Sequence, residues 1–449
     1  MAHLITRRAA LALSGAAVVA GQAAAQGSSP RASAIPTQAA TPPNLPIERG
    51  ATLRMLRPVR FVQPDEEVFR ANCARFTQQT GVEVRVDFVG WEDITQQTAV
   101  TANTGAGPDL IIGFNEAPHI YSDKLVELTD VAAYIGQKYG GWKAMAQRYG
   151  KRANSEDWLG LPFGASGGPL VWRKSSVNAA GFEKPPEDHA SFLRLCQALK
   201  AAGKPAGFAL GNAVGDGNGF AQWLVWSFGG YLVDENNEVA INSRETIASL
   251  EYLKELYATF IPGTIAWGDI SNNRAYSAGE CHLTANGVSL YFSLKNDPAM
   301  RAIADDTEHS LLPKGLAATS PMAGLTLNAM VFKHSRFPNA SKALLAFLLE
   351  TEQYDPWLQA NLGYWSQPLN AYANSAVWDS DPKVSVFRGV MDTTFYAGYK
   401  GPISQASAAA NADYVMVQMC ASVASGQATP QQAAAEAERR ARRFFRARR

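Results

Sequence analysis

The sequence predicts an α/β fold built on a parallel sheet, and three observations carry that expectation. The first folded segment reads strand, helix, strand. Residues 51–55 form an apolar-rich run, and residues 65–80 place Val68, Phe69, Ala71, Cys73 and Phe76 on one side and stop at Gly81. Val82, Val84, Val86 and Phe88 then alternate with polar neighbours, so the period changes from that of a helix to that of a strand. Leu110-Ile111-Ile112 is apolar throughout, as a strand covered on both faces of a parallel sheet should be. The chain has 449 residues, 47% hydrophobic and 18% charged, which is enough for two or three ordinary domains and a buried core.

The N-terminus reads as an export signal over residues 1–25. Thr6-Arg7-Arg8-Ala9-Ala10-Leu11 precedes an Ala-rich apolar run, and Ala23-Ala24-Ala25 offers a small-residue cleavage site before Gln26. Twin arginines point to Tat export, but Ala10 stands where that signal usually has Phe, which leaves Sec export open. No Cys follows the run to accept a lipid, and no other apolar stretch approaches the ~20 residues of a membrane span. The expected product is periplasmic and soluble after signal cleavage. Residues 26–50 are rich in Ser, Pro, Ala and Thr without periodicity and read as a flexible linker.

Charge and composition narrow the function. Lys plus Arg total 41 against 40 Asp plus Glu, a net charge of +1, so no global field favours nucleic acid or an anionic membrane. Ten Trp and fifteen Tyr suit stacking on the apolar faces of sugar rings, and equally suit a large core. Cys73, Cys196, Cys281 and Cys420 have no C-x-x-C spacing and read as buried thiols. Neither H-x-x-x-H nor H-E-x-x-H occurs, so no metal site is expected; Gly164-Ala165-Ser166-Gly167-Gly168 has the G-x-S-x-G spacing, but the strand-like Pro169–Trp172 follows it where a nucleophile elbow needs a helix, so neither catalytic residues nor a cofactor are expected.

In parallel sheets the ligand crevice lies beyond the carboxyl ends of the strands. That rule selects the loops 60–63, 90–91 and 115–116, with Arg60, Gln63, Trp91, Asn115 and Glu116 as candidates. Gly160-Leu161-Pro162-Phe163-Gly164 is punctuated between two apolar runs and reads as a crossing between parts of the fold, with Phe163 and Gly164 as candidates beside it. Gly215-Asp216-Gly217-Asn218-Gly219 lacks the Gly-Lys-Ser/Thr of a phosphate loop and the distal Glu of a calcium loop. It reads instead as a binding loop ahead of a helix over residues 220–228. Asn218 can hydrogen-bond hydroxyls through both ends of its amide, and Phe220 lies beside it. Trp223 and Trp226 share a face of that helix, as a core stripe or with Trp226 in the cleft. A short helix ends at Gly279, a brief strand follows, and Asn286-Gly287 turns the chain. Gly324 would let backbone approach a ligand.

The order of several blocks carries a resemblance. Pro108-Asp109-Leu110-Ile111-Ile112, Asp123-Lys124-Leu125-Val126-Glu127-Leu128-Thr129-Asp130, Trp226-Ser227-Phe228-Gly229-Gly230, the segment from Arg274 to Gly287, Gly324-Leu325-Thr326-Leu327 and Ser341-Lys342-Ala343-Leu344 succeed one another along the chain. This set resembles the family 1 extracellular solute-binding proteins, the sugar receptors of ABC importers that include maltose-binding protein. The resemblance implies a two-lobed periplasmic binding protein, type II-like, with a hinge of several chain crossings and a ligand cleft between lobes. Lobe one would be residues 51–161 plus 322–349, and lobe two residues 162–321 plus 350–449. It places ligand contacts at Asn286 and Tyr291, and at Trp365 within Tyr364-Trp365-Ser366-Gln367-Pro368. The implied function is to bind a carbohydrate or polyol and deliver it to a membrane permease, as a monomer and without chemistry. A polyamine or phosphodiester solute is the alternative, followed by an exported carbohydrate-active hydrolase.

Overall fold

The structure is a computed structural model that describes residues 33–446. The expected signal and the start of the linker lie outside the described residues. In chain order the strands are β1 (Thr52–Pro58), β2 (Glu83–Val89), β3 (Leu110–Phe114), β4 (Leu161–Gly167), β5 (Leu170–Arg173), β6 (Leu283–Ala285), β7 (Thr307–Ser310), β8 (Met322–Val331) and β9 (Thr394–Phe395). They form two sheets. The larger runs β2-β1-β3-β8-β4 with β9 on β8, and the smaller runs β6-β5-β7. The opening β-α-β unit is present: β1 pairs in parallel with both β2 and β3, and the helix Gln63–Thr80 ends on Gly81 in the left-handed region, whose N–H donates to the Thr77 carbonyl.

The expected parallel sheet is in fact mixed. β3 is buried along its whole length, as its composition required, but β8 lies antiparallel between β3 and β4. Apolar residues on both faces report cover on both faces; they say nothing about the direction of a neighbour that arrives two hundred residues later.

Two crossings differ from the expected ones. The segment 160–164 does not leave the large sheet, because β4 runs on to Gly167 alongside β8, with a register shift between Pro162 and Gly164. The chain enters the small sheet only at Leu170. It returns to the large sheet through residues 311–321, between β7 and β8. The helix Thr351–Ala360 also stays with the large sheet: Asn72 donates to the Gln353 carbonyl at 3.0 Å and Trp357 to Asp65 at 2.6 Å. Residues 381–388 then reach to the small-sheet side, where Tyr291 and Lys295 donate to Asp381 at 2.6 and 2.7 Å. After β9 the helices Gln405–Ala412, Val415–Ala424 and Pro430–Phe445 pack against one another and around the helices Asp216–Ser227 and Arg244–Tyr257.

Residues 33–50 are laid against the large-sheet side as a strap. Ile35 and Leu45 pack on the core, Gln38 donates to the Lys138 carbonyl at 2.9 Å, and the Glu48 carboxylate accepts the N–H groups of Asn339 and Ala340 at 2.8 and 3.0 Å. Those are orphan donors at the start of the helix Pro338–Leu348. A linker reading counts apolar content, and this segment is held by backbone bonds and two apolar anchors. All four cysteines are buried and unpaired. No helix among the described residues is long and apolar enough to cross a membrane.

Candidate ligand-binding site

A cavity of about 80 Å³ lies where the two sheets face each other, several times the roughly 10–15 Å³ that one water requires. Its large-sheet wall is aromatic. Phe61 follows the end of β1, Trp91 follows β2, and Tyr364 joins them. Phe61 meets Trp91 edge-on with ring centroids 4.4 Å apart and lies parallel to Tyr364 at 6.0 Å. Trp91 is held by its indole N–H on the Val59 carbonyl at 2.9 Å and is backed by Trp365, stacked at 6.0 Å.

The opposite wall is polar and is built around the start of the helix Asp216–Ser227. Asp269 accepts the backbone N–H groups of Val214, Gly215 and Asp216 at 3.0, 3.0 and 2.7 Å, placing a carboxylate on the positive end of that helix. Gly217 is required here: a Cβ would stand 2.3 Å from the Gly211 carbonyl oxygen. Burial, and then the neighbouring Asp269 charge, push Asp216 well above the usual carboxylate range, while the Asn272 amide pulls it back. Asn272 donates to Asp216 at 2.7 Å and to the Ala285 carbonyl at 2.9 Å. Gln222 donates to Asn411 at 2.7 Å, and Asn286 donates to Asn273 and accepts from Ser289. No Lys or Arg lines the cavity, and the described residues contain no cluster of three potential metal ligands.

The structure brings together Trp91, Asn115, Asn218, Phe220, Asn286 and Gly324 of the expected site. Asn115 has a second duty. It sits at φ 46, its side-chain oxygen accepts the Thr326 N–H at 2.8 Å, and its carbonyl accepts Asn328 at 2.7 Å, so it anchors β8 as well as lining the cavity. Glu116 lies in an adjoining chamber. The remaining candidates stand elsewhere. Arg60 and Gln63 are exposed and pair with Glu66 and Glu67 along their own helix. Phe163 is in the core, its carbonyl accepting Tyr354 at 2.6 Å. Gly164 makes its close approach to the Trp365–Ser366 backbone and not to the cavity. Trp226 is 2% exposed, edge-on to Phe395 at 5.7 Å. Tyr291 is buried on the helix Ser289–Asn296 and spends its hydroxyl on Asp381. Trp365 forms the layer behind Trp91 and does not face the cavity.

Sequence reasoning passed over Asp216, Gln222, Asp269 and Asn411 as site residues, while Phe61 falls within the loop 60–63 and Tyr364 within the segment 364–368 that it selected. Asp216 sat inside the Gly-Asp-Gly-Asn-Gly loop and was visible there as an oxygen ligand without a calcium pattern. Asp269 carried no signal, since its partners are 53 to 55 residues away.

Two facing α/β lobes thus enclose a cavity with an aromatic wall opposite a carboxyl-and-amide wall. The chain belongs to the family described as bacterial extracellular solute-binding protein, whose profile matches residues 71–386. YcjN of Escherichia coli (strain K12), named for a periplasmic-binding role in an ABC transporter, is 22% identical over 363 residues, covering 74% of this chain and 81% of YcjN. Among solved structures, the GacH receptor of Streptomyces glaucescens GLA.O, determined unliganded and with acarbose, is similar with a TM-score of 0.74 at 17% identity, over 90% of this chain and 100% of that one. An ABC transporter solute-binding protein of Agrobacterium radiobacter K84 in complex with ribitol gives 0.72 at 18% identity, over 88% and 98%. These likenesses show the fold: two lobes with a cleft between them.

Proposed function

We propose that the chain is the periplasmic receptor of an ABC importer and takes a neutral carbohydrate or polyol into the cavity between its sheets, for delivery to the membrane permease. The observation that carries this is the pairing of walls. Phe61, Trp91 and Tyr364 offer ring faces to C–H surfaces, while Asp216, Asn218, Gln222 and Asn286 offer hydrogen-bond partners to hydroxyls. The similar proteins that carry acarbose or ribitol agree with that class. A phosphodiester would find no cation, as no Lys or Arg lines the cavity. A polyamine would need ionised carboxylates, and Asp216 is pushed toward its neutral form while Asp269 is engaged by three backbone N–H groups. No chemistry is assigned to the cleft. The moving bodies would be residues 51–167 with 322–380, and 168–321 with 405–445, joined through 381–404, and the mature chain would begin near Gln26.

A thermal-shift screen over sugars, polyols, polyamines and phosphodiesters tests the reading, because a solute at ~100 times its Kd stabilises the folded state by about 2.7 kcal/mol. Stabilisation by a sugar or polyol, with tryptophan fluorescence changing and the solute recovered intact, is the expected result. Stabilisation by polyamines alone, or turnover of the sugar, would remove it.

A further inference from the structure

Next to the ligand cavity lies a larger chamber of about 360 Å³. Asn115, Val214, Asn218 and Asn411 wall both spaces, so a molecule seated in one abuts the other across a partition four side chains wide. The two interiors differ in chemistry. The first presents two carboxyls and several amides. The second is lined by Ile94, Phe114 and Ile120 from the large-sheet side and by Ala408, Ala409 and Ala412 from the helix Gln405–Ala412, with a single carboxyl, that of Glu116, and with Thr95, Thr98, Tyr121, Gln405 and Tyr414 as its other polar residues beyond the partition. Glu116 is 4% exposed, and its Oε1 is buried without a hydrogen-bond partner. Burial raises it to about 7, offset in part by a bond from its own backbone. A sugar ring against the Ile94, Phe114, Ile120, Ala408, Ala409 and Ala412 part of this wall would leave the hydroxyls facing it unpaired, at about 1–3 kcal/mol each. An apolar group loses nothing there and gains from every Å² it removes from water.

We propose that the ligand is a glycoside, with its sugar in the cavity beside Asp216 and its apolar aryl or alkyl aglycone in the second chamber. This rests on the carbohydrate reading above and adds the substrate class to it. For each sugar that binds, calorimetric titration should compare the free sugar, its phenyl glycoside and the matching disaccharide. The phenyl glycoside is expected to bind about tenfold more tightly or better, ~1.4 kcal/mol, with no such gain for the disaccharide. Ala409→Trp, at a partly exposed position of the chamber wall, should fill the chamber and abolish the gain. If that variant melts early, Thr95→Trp from the opposite, exposed wall serves the same purpose. A free sugar that binds as well as its phenyl glycoside, a disaccharide that gains as much, or a gain that survives the filled chamber would each overturn the proposal while leaving the carbohydrate reading in place. If no sugar, polyol or glycoside binds, the carbohydrate reading itself has failed and this proposal with it.

Discussion

Asp269 is the residue on which the polar wall depends, and its removal makes a quantitative test. Its carboxylate accepts three backbone N–H groups in a row, from Val214, Gly215 and Asp216. Hydrogen bonds to a charged group contribute about 1.5–3 kcal/mol each when the donors have no other partner. Asp269 is only half-buried, so water replaces part of what is lost, and Asp269→Ala should destabilise the fold by about 2–4 kcal/mol. The loss in affinity has a separate origin. The same loop presents Asp216 and Asn218, and freeing two or three of its residues adds an ordering cost of about 1–2 kcal/mol per residue to binding. Calorimetric titration should therefore show affinity weakened roughly ten- to hundredfold or more. Asp269→Asn keeps the shape and one acceptor oxygen but loses the charge on the helix start, and should fall between the two. Melting curves beside titrations for both variants separate the effects. A variant that melts early yet binds as the parent does would show that this loop is not a ligand wall; one unchanged in both would refute the structural argument as well.

Glu116 predicts a pH dependence. Its carboxyl is raised from 4.5 to about 7 in the folded protein, so the folded state holds a proton that the unfolded state has released. The stability it contributes is complete below about 4.5 and is lost as pH rises through about 7. Glu116→Gln should gain on the parent in stability between pH 5 and 8, by a few kcal/mol at most, seen as a melting-temperature gap that widens with pH, and parallel curves would contradict the buried, unpaired carboxyl. Gly217→Ala should cost about 1–3 kcal/mol or prevent folding, because its Cβ would meet the Gly211 carbonyl at 2.3 Å, whereas Gly219→Ala, with nothing within 4 Å, should be neutral or stabilising by up to ~1 kcal/mol in a helix. Denaturant titration of the pair checks this, and equal losses would count against it. Trp226→Ala should lose roughly 3–5 kcal/mol of stability as a core deletion with Kd changed less than about threefold; a large affinity loss at unchanged stability would return Trp226 to the cleft.

What the sequence showed and what it hid divide along physical lines. The β-α-β opening was readable because each element carries its own periodicity, and the strand-end rule then led to Trp91 and Asn115. The same rule led to the loop 60–63 after β1, where Phe61 faces the cavity while Arg60 and Gln63 turn outward to Glu66 and Glu67. The helix Asp216–Ser227 defeated face assignment because it is buried almost all round. With no polar side there is no way to tell Phe220, which reaches the cavity, from Trp226, which does not. Asp269 was hidden for a different reason. It is placed by contacts with residues far away in the chain, and nothing local announces such a contact. Asn115 was found but only half understood: its amide was read as free for a ligand, and it also fixes the first residues of the β3–β8 junction.

The partition between the two chambers links the site to lobe movement. Asn115 comes from the end of β3 in the large sheet, Val214 and Asn218 from the loop and helix start held by Asp269, and Asn411 from the C-terminal helices packed around the helix Asp216–Ser227. In the division proposed above one member belongs to the large-sheet body and three to the other, so under that proposal the gap between the chambers would change with any movement of the bodies. A ligand shifts a conformational equilibrium only by the difference in its affinity for the two states. A free sugar contacting one wall in an open cleft gains the other wall on closure. An aglycone lodged between Ile94 on one body and Ala408 on the other gains its second wall in the same movement, so its burial adds to the closed state and not to the open one. Under the glycoside proposal the second chamber therefore strengthens closure as well as affinity, and the two effects share one cause: apolar surface that leaves water only when both bodies meet around it.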